Sequence, residues 1–154
     1  MDRVALVQAY RDCHFEVRRV QGGARDTLRI GEPLPAAVAA WLVDAPLCAF
    51  ITAYNPRSTV QPADCNRRAQ RELLRQLQQH GARWRPGVGR IPGQPWREPS
   101  LLVAGVNLDV IDALAWRHSQ NAIVLVHRNA AAQLRLYGAE WAALADATTV
   151  IVAR

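Results

Sequence analysis

The sequence predicts an α+β fold. It reads as a single layered domain over residues 1–154, with a mixed β-sheet of about five to seven strands covered by about three to four helices. Three observations carry this. "LCAFITAY" (47–54) is apolar without alternation, as expected of a strand covered on both faces. Helix and strand patterns alternate through the middle of the chain, which requires crossovers. Near both ends, strand patterns follow one another directly and read as hairpins. A doubly wound parallel sheet is the alternative arrangement.

The elements follow in order. Residues 2–12 carry Val4, Leu6, Val7 and Tyr10 at helical spacing. "HFEVRRV" (14–20) and "TLRI" (27–30) read as strands joined across Gly22 and Gly23. Pro33 and Pro35 open a helix through "AAVAAWLVDA", which Pro46 ends. The strand at 47–54 stops at Asn55, because the residue before a proline is pushed out of the helical region. The next helix starts near Pro62 and runs to His80, with Gly81 beyond its end and Ala69, Leu73 and Leu77 as its apolar stripe. Stepping back one turn places Asn66 on that buried face. Seven glycines and prolines between Pro86 and Pro99 suggest a structured loop or a pair of short edge strands. "SLLVAGV" (100–106) is a buried strand. Asn107 caps a helix to about His118, and strands follow at "AIVLV", "AQLRLY" and "TTVIVA".

Half the residues are apolar, which argues against disorder, and all 19 basic residues are arginine. The formal charge of +6 is concentrated: nine arginines face only Asp64 and Glu72 between Arg57 and Arg97, or +7, leaving −1 elsewhere. That middle segment can attract phosphates or an acidic partner. Cys13, Cys48 and Cys65 are odd in number and lack metal spacing, so a reducing, cytoplasmic setting is expected. The first residues have no signal-peptide core, and Asp44 and Pro46 interrupt the longest apolar zone, so no membrane span is expected.

Four places put polar side chains beside buried structure. Asn55 ends the central strand, and Asn66 faces inward from the following helix. Glu98 and Ser100 share one face of a strand, and Gln120 and Asn121 stand at a helix-to-strand junction. Each has an ordinary structural reading as a turn, capping or surface residue. Four segments appear together in a fixed order: "ITAYNPRS", Asn66 with Arg68, "WREPSLLV" and "SQNAIVL". On these the chain, over roughly residues 5–137, resembles the bacterial domain-of-unknown-function family 3293, a group of small proteins without an established activity. The resemblance implies a polar signature of Thr52, Asn55, Pro56, Asn66, Glu98, Ser100 and Gln120. Glu-Pro-Ser stands here where the family has a more general Glu-x-Ser.

Three kinds of function are compatible with these residues. The first is binding of an anionic small molecule or nucleotide in a polar pocket at the Asn55 end of the central strand. Thr52, Asn55, Arg57, Asn66, Arg68, Ser100 and Gln120 would line it, beside a helix N-terminus that favours anions. The second is an enzyme with Glu98 as general acid or base. Glu98 can meet Asn55 only if their strands run antiparallel. The third is nucleic-acid or protein binding through Arg67, Arg71 and Arg75 and the loop arginines 83, 85 and 90, although no nucleic-acid-binding motif is present. Amides read hydrogen-bond patterns and do not transfer protons. A two-carboxylate glycosidase site is disfavoured because Glu98 is the signature's only acid. Ser100 would need a base to act as nucleophile. The four histidines are scattered, with His118 expected in the core, so neither a metal nor a cofactor is expected.

Overall fold

The structure is a computed structural model and describes residues 2–19 and 21–153. The helices are α1 (Arg3–Asp12), α2 (Ala36–Leu42), α3 (Ala63–Gln79) and α4 (Leu108–Arg117). The strands are β1 (His14–Arg18), β2 (Arg25–Leu28), β3 (Leu47–Ile51), β4 (Arg83–Arg90), β5 (Arg97–Ala104), β6 (Ala122–His127), β7 (Gln133–Tyr137) and β8 (Thr149–Val152). Short 3₁₀ turns lie at Pro56–Ser58 and Ala139–Leu144. The expected first strand runs to Val20, which lies outside the described residues.

All eight strands join one mixed sheet in the order β2-β1-β4-β5-β3-β6-β7-β8. The α+β class holds, and the strand count exceeds the expected five to seven. The doubly wound alternative fails, because β7–β8 is the one parallel pair among the described residues. β3 is central and buried along its length, antiparallel to both β5 and β6. Its unbroken apolar run reflects helices on both sheet faces rather than parallel pairing.

One face packs Ala49, Ile51, Leu101 and Val103 against Leu73 and Leu77 of α3 and Ile111 and Leu114 of α4. The opposite face packs Phe15, Val17, Cys48, Phe50 and Leu102 against Val38 and Leu42 of α2. Val7 of α1 packs on Leu134 and Leu136 of β7 and on Trp141. Among the described residues, no helix is long and apolar enough to cross a membrane.

The stretch expected to be a loop or short edge strands contains β4, eight residues that pair along their whole length with β5. Its glycines and proline misled the reading for a physical reason. β1 pairs only with Gly87–Arg90, so Pro86 sits where β4 has a free edge and a missing N–H leaves no ladder bond broken. Gly87 is required by contact. A Cβ there would stand 2.6 Å from Phe50 Cε2 and 2.8 Å from the Glu16 carbonyl oxygen.

Several sequence expectations are met. Asn107 caps α4 by accepting the Asp109 N–H at 2.9 Å, and Gly81 follows α3 with φ +75°. His118, expected in the core, is only half-buried, and its hydrogen-bonding need is met by Gln76, with Nε2 2.8 Å from Oε1. All three cysteines are free, with Cys13 and Cys48 buried and Cys65 exposed.

Replacing Gly87 by alanine should lower unfolding stability by about 1–3 kcal/mol, the range of core overpacking. Urea unfolding of Gly87→Ala measures this, and an unchanged midpoint would show that Phe50 moves aside freely.

Candidate functional site

The site begins where β3 ends. Asn55 adopts the left-handed conformation (φ 48°, ψ 62°) that asparagine tolerates better than most residues. Its backbone N–H donates to Asn66 Oδ1 at 2.9 Å, and Asn66 Nδ2 donates back to Asn55 Oδ1 at 2.8 Å. This reciprocal amide pair ties the strand end to the first turn of α3. Asn55 Oδ1 also accepts the Gln61 N–H, which fixes the intervening loop. Asn66 is buried, so both of its amide atoms need these partners.

Asn55 Nδ2 is then directed at Glu98, donating to Oε2 at 3.0 Å. The antiparallel β3–β5 pairing makes this contact possible, as the sequence argument required. Thr52 donates its hydroxyl to the Pro99 carbonyl at 2.8 Å and secures the same junction. Ser100 donates to the Glu98 main-chain carbonyl at 3.1 Å, and no base contacts its hydroxyl. Gln120 Nε2 donates to the Tyr54 carbonyl at 3.1 Å.

The loop after Asn55 is strained. Arg57, Ser58 and Ser119 all have positive φ, at 55°, 57° and 52°. Such non-glycine conformations persist where surrounding bonds enforce them, and they gather at functional sites. Here Arg57 N–H donates to the Ser119 carbonyl at 2.8 Å, and Asn121 Nδ2 donates to Ser58 Oγ at 2.9 Å. The Tyr10 hydroxyl, from α1, lies 3.1 Å from the same Ser58 oxygen.

These groups border a chamber of about 350 Å³ on the sheet face that carries Phe15 and Phe50. Thr52, Asn55, Glu98, Ser100 and Gln120 line it. Asn66 stands behind them as the anchor of Asn55. Arg57 and Arg68 are exposed and lie outside the lining. Among the described residues, no arginine or histidine lines the chamber. The loop arginines are engaged elsewhere: Arg83 donates to the Trp41 and Leu42 carbonyls, Arg83 and Arg85 lie against the Trp41 ring, and Arg90 pairs with Glu16. Arg67 and Arg71 are exposed on α3, and Arg75 is paired with Glu72.

Tyr10, Cys13 and Gln70 belong to the site and escape sequence reading. Tyr10 and Cys13 come from α1 and its C-terminal end, which nothing in the sequence places against β5. Gln70 Oε1 accepts the Ala53 N–H at 2.8 Å. Its i, i+4 spacing from Asn66 is the signal that would have found it.

Burial governs the site's ionisation. It pushes the Glu98 carboxyl up to about 7, with the Asn55 amide opposing, and among the described residues no cation pairs with it. Burial likewise pushes the Tyr10 hydroxyl and the Cys13 thiol up to about 12, so both stay neutral. Among the described residues, no cluster could hold a metal ion. The chamber therefore offers one carboxyl group able to exchange a proton near neutrality, amide and hydroxyl groups fixed around it, and apolar walls.

Residues 51–123 match the model of a family described as "Protein of unknown function (DUF3293)", the same family that the sequence resembles. Thr52, Asn55, Asn66, Glu98, Ser100 and Gln120 all fall inside the matched segment. No curated protein and no solved structure matches the chain.

Asn66→Ala would leave the half-buried Asn55 N–H without its acceptor and should cost about 1–3 kcal/mol in urea unfolding. A loss below a few tenths would mean the amide pair does not hold the junction.

Glu98 gives a signed pH dependence. Its carboxyl rises from the ordinary 4.5 to about 7 on folding. Between those values the native chain holds the proton and the unfolded chain has lost it. Stability should therefore fall as pH rises through this window and level off above it, by at most about 3 kcal/mol. Buried Glu16 is held below the usual range, against the pull of desolvation, by its arginine partners, and exposed Asp146 by threonine hydrogen bonds and Arg11. They act in the opposite sense at lower pH. Glu98→Gln should abolish the fall between pH 5 and 8, and identical slopes in the two proteins would disprove the assignment.

Proposed function

We propose that the chain binds a small, mostly apolar molecule carrying one polar group, and that the Glu98 carboxyl receives that group. One observation supports this above the others: Glu98 lines an apolar chamber with Oε2 held by Asn55, while among the described residues no hydrogen bond reaches its Oε1. A volume of about 350 Å³ suits a small ligand. Concave, largely apolar sites with a few convergent polar groups are the usual form of small-molecule sites.

The same features weigh against the anionic ligand or nucleotide expected from sequence. Among the described residues, a carboxyl group and no arginine face the chamber. An anion would have to sit outside, toward the exposed Arg57 and Arg68. An enzymatic role for Glu98 as general acid or base is the second reading. It is favoured by a carboxyl that titrates near neutral pH and is oriented by a fixed amide.

Gly89 gives the test. It lines the chamber, its φ is not positive, and the nearest atoms to a Cβ there would be Cys13 Sγ and the Trp96 ring at van der Waals distance, 3.5 Å each. Gly89→Leu should fill the chamber without disrupting the fold. Small apolar alcohols, amides and amines at millimolar concentration should raise the melting temperature of the native chain and leave Gly89→Leu unmoved. Equal shifts in both proteins would place binding elsewhere and overturn the proposal.

A further inference from the structure

The surroundings of Glu98 narrow the ligand class. Register places Phe15, Gly89 and Glu98 side by side across β1, β4 and β5. Gly89 contributes no side chain, so the Trp96 ring comes down over it, 3.5 Å from where a Cβ would be. Trp96 precedes Glu98 by two residues and lines the same chamber, as do Phe50 and Tyr10. The Phe15 and Phe50 rings meet edge to face, with centroids 5.2 Å apart. One carboxyl group thus stands among four aromatic side chains. Among the described residues it has no ion-pair partner.

Buried carboxylates are ordinarily paired with a cation, and aromatic faces attract cations when water is displaced. Both features ask for the same missing charge. Building on the chamber reading above, we infer that the natural occupant is a protonated amine on a small apolar body, its ammonium bonded to Glu98 and its body among Phe15, Phe50 and Trp96.

The groups facing Glu98 leave its charge to decide binding. Tyr10 and Cys13, from α1 and its C-terminal end, remain neutral. Asn55 presents an amide from the β3 end. Arg90 of β4 is committed to Glu16, and Arg29 lies outside the lining. Amine affinity should therefore rise with pH through about 7, where Glu98 ionises, and then level while the amine stays protonated.

Three probes share one apolar body: phenethylamine, 2-phenylethanol and phenylacetate. Their affinities are read by ¹H–¹⁵N NMR titration of the full chain at pH 8 and pH 5.5. Phenethylamine should bind about tenfold or more tightly than the alcohol at pH 8. That preference should shrink about tenfold at pH 5.5 and vanish in Glu98→Gln, which keeps an acceptor for Asn55. Trp96→Leu should weaken the amine about threefold or more while sparing the alcohol. Equal or tighter binding of the alcohol or phenylacetate, or an amine preference that survives Glu98→Gln, would overturn the amine assignment and leave the chamber reading standing. If no probe perturbs the chamber residues at millimolar concentration, both fail.

Discussion

Two asparagine side chains that satisfy each other hold this molecule's site together. When β3 ends, the half-buried Asn55 N–H needs a partner outside the sheet. Asn66 supplies the acceptor and takes Asn55 Oδ1 in return. Neither residue could do this for a neighbour in sequence. The bond needs a strand end and a helix start facing each other across a loop, so the pair fixes both elements at once. With Oδ1 occupied, Asn55 has one orientation left, and its remaining donor points at Glu98.

The second constraint is steric. β4 carries glycine at 87 and 89, the two positions that face Phe50 and the Trp96 ring. A side chain at 87 would strike Phe50, and one at 89 would enter the chamber. Their absence lets aromatic rings lie on bare backbone, which makes the walls apolar. Apolar walls are also why Glu98 holds its proton near neutrality. Glu16, buried in the same sheet but bonded to Arg25 and Arg90, goes the other way and stays ionised. Two carboxyls in one sheet thus differ because one has cations beside it and the other has rings.

The strain in the loop fits the same picture. Asn55, Arg57, Ser58 and Ser119 all adopt positive φ within a short stretch of space, held by Asn121 and by the Arg57–Ser119 bond. That loop brings Ser58 against Tyr10 of α1 and so closes the chamber on the helix side.

Much of this could be read from the chain alone, because it depends on local chemistry. The apolar run before Asn-Pro marked the central strand and its end. The spacing of Ala69, Leu73 and Leu77 put Asn66 on the buried face of α3. The alternation of Glu98 and Ser100 put both on one side of β5. The polar signature, Asn66 included, proved to surround one junction, whereas Arg57 and Arg68 turned outward. What remained hidden depended on pairing between distant segments. Pro86 and two glycines looked like a loop, because sequence does not reveal that β1 stops short of Pro86 or that Phe50 fills the space over Gly87. The concentrated positive charge suggested an anion site, yet among the described residues no arginine lines the chamber. Local propensity determined which residues are buried, capped or turned. Only the three-dimensional packing decided that the one acid among them would face aromatic rings instead of guanidinium groups, because Phe15 and Phe50 come to it from β1 and β3, far from Glu98 in the chain.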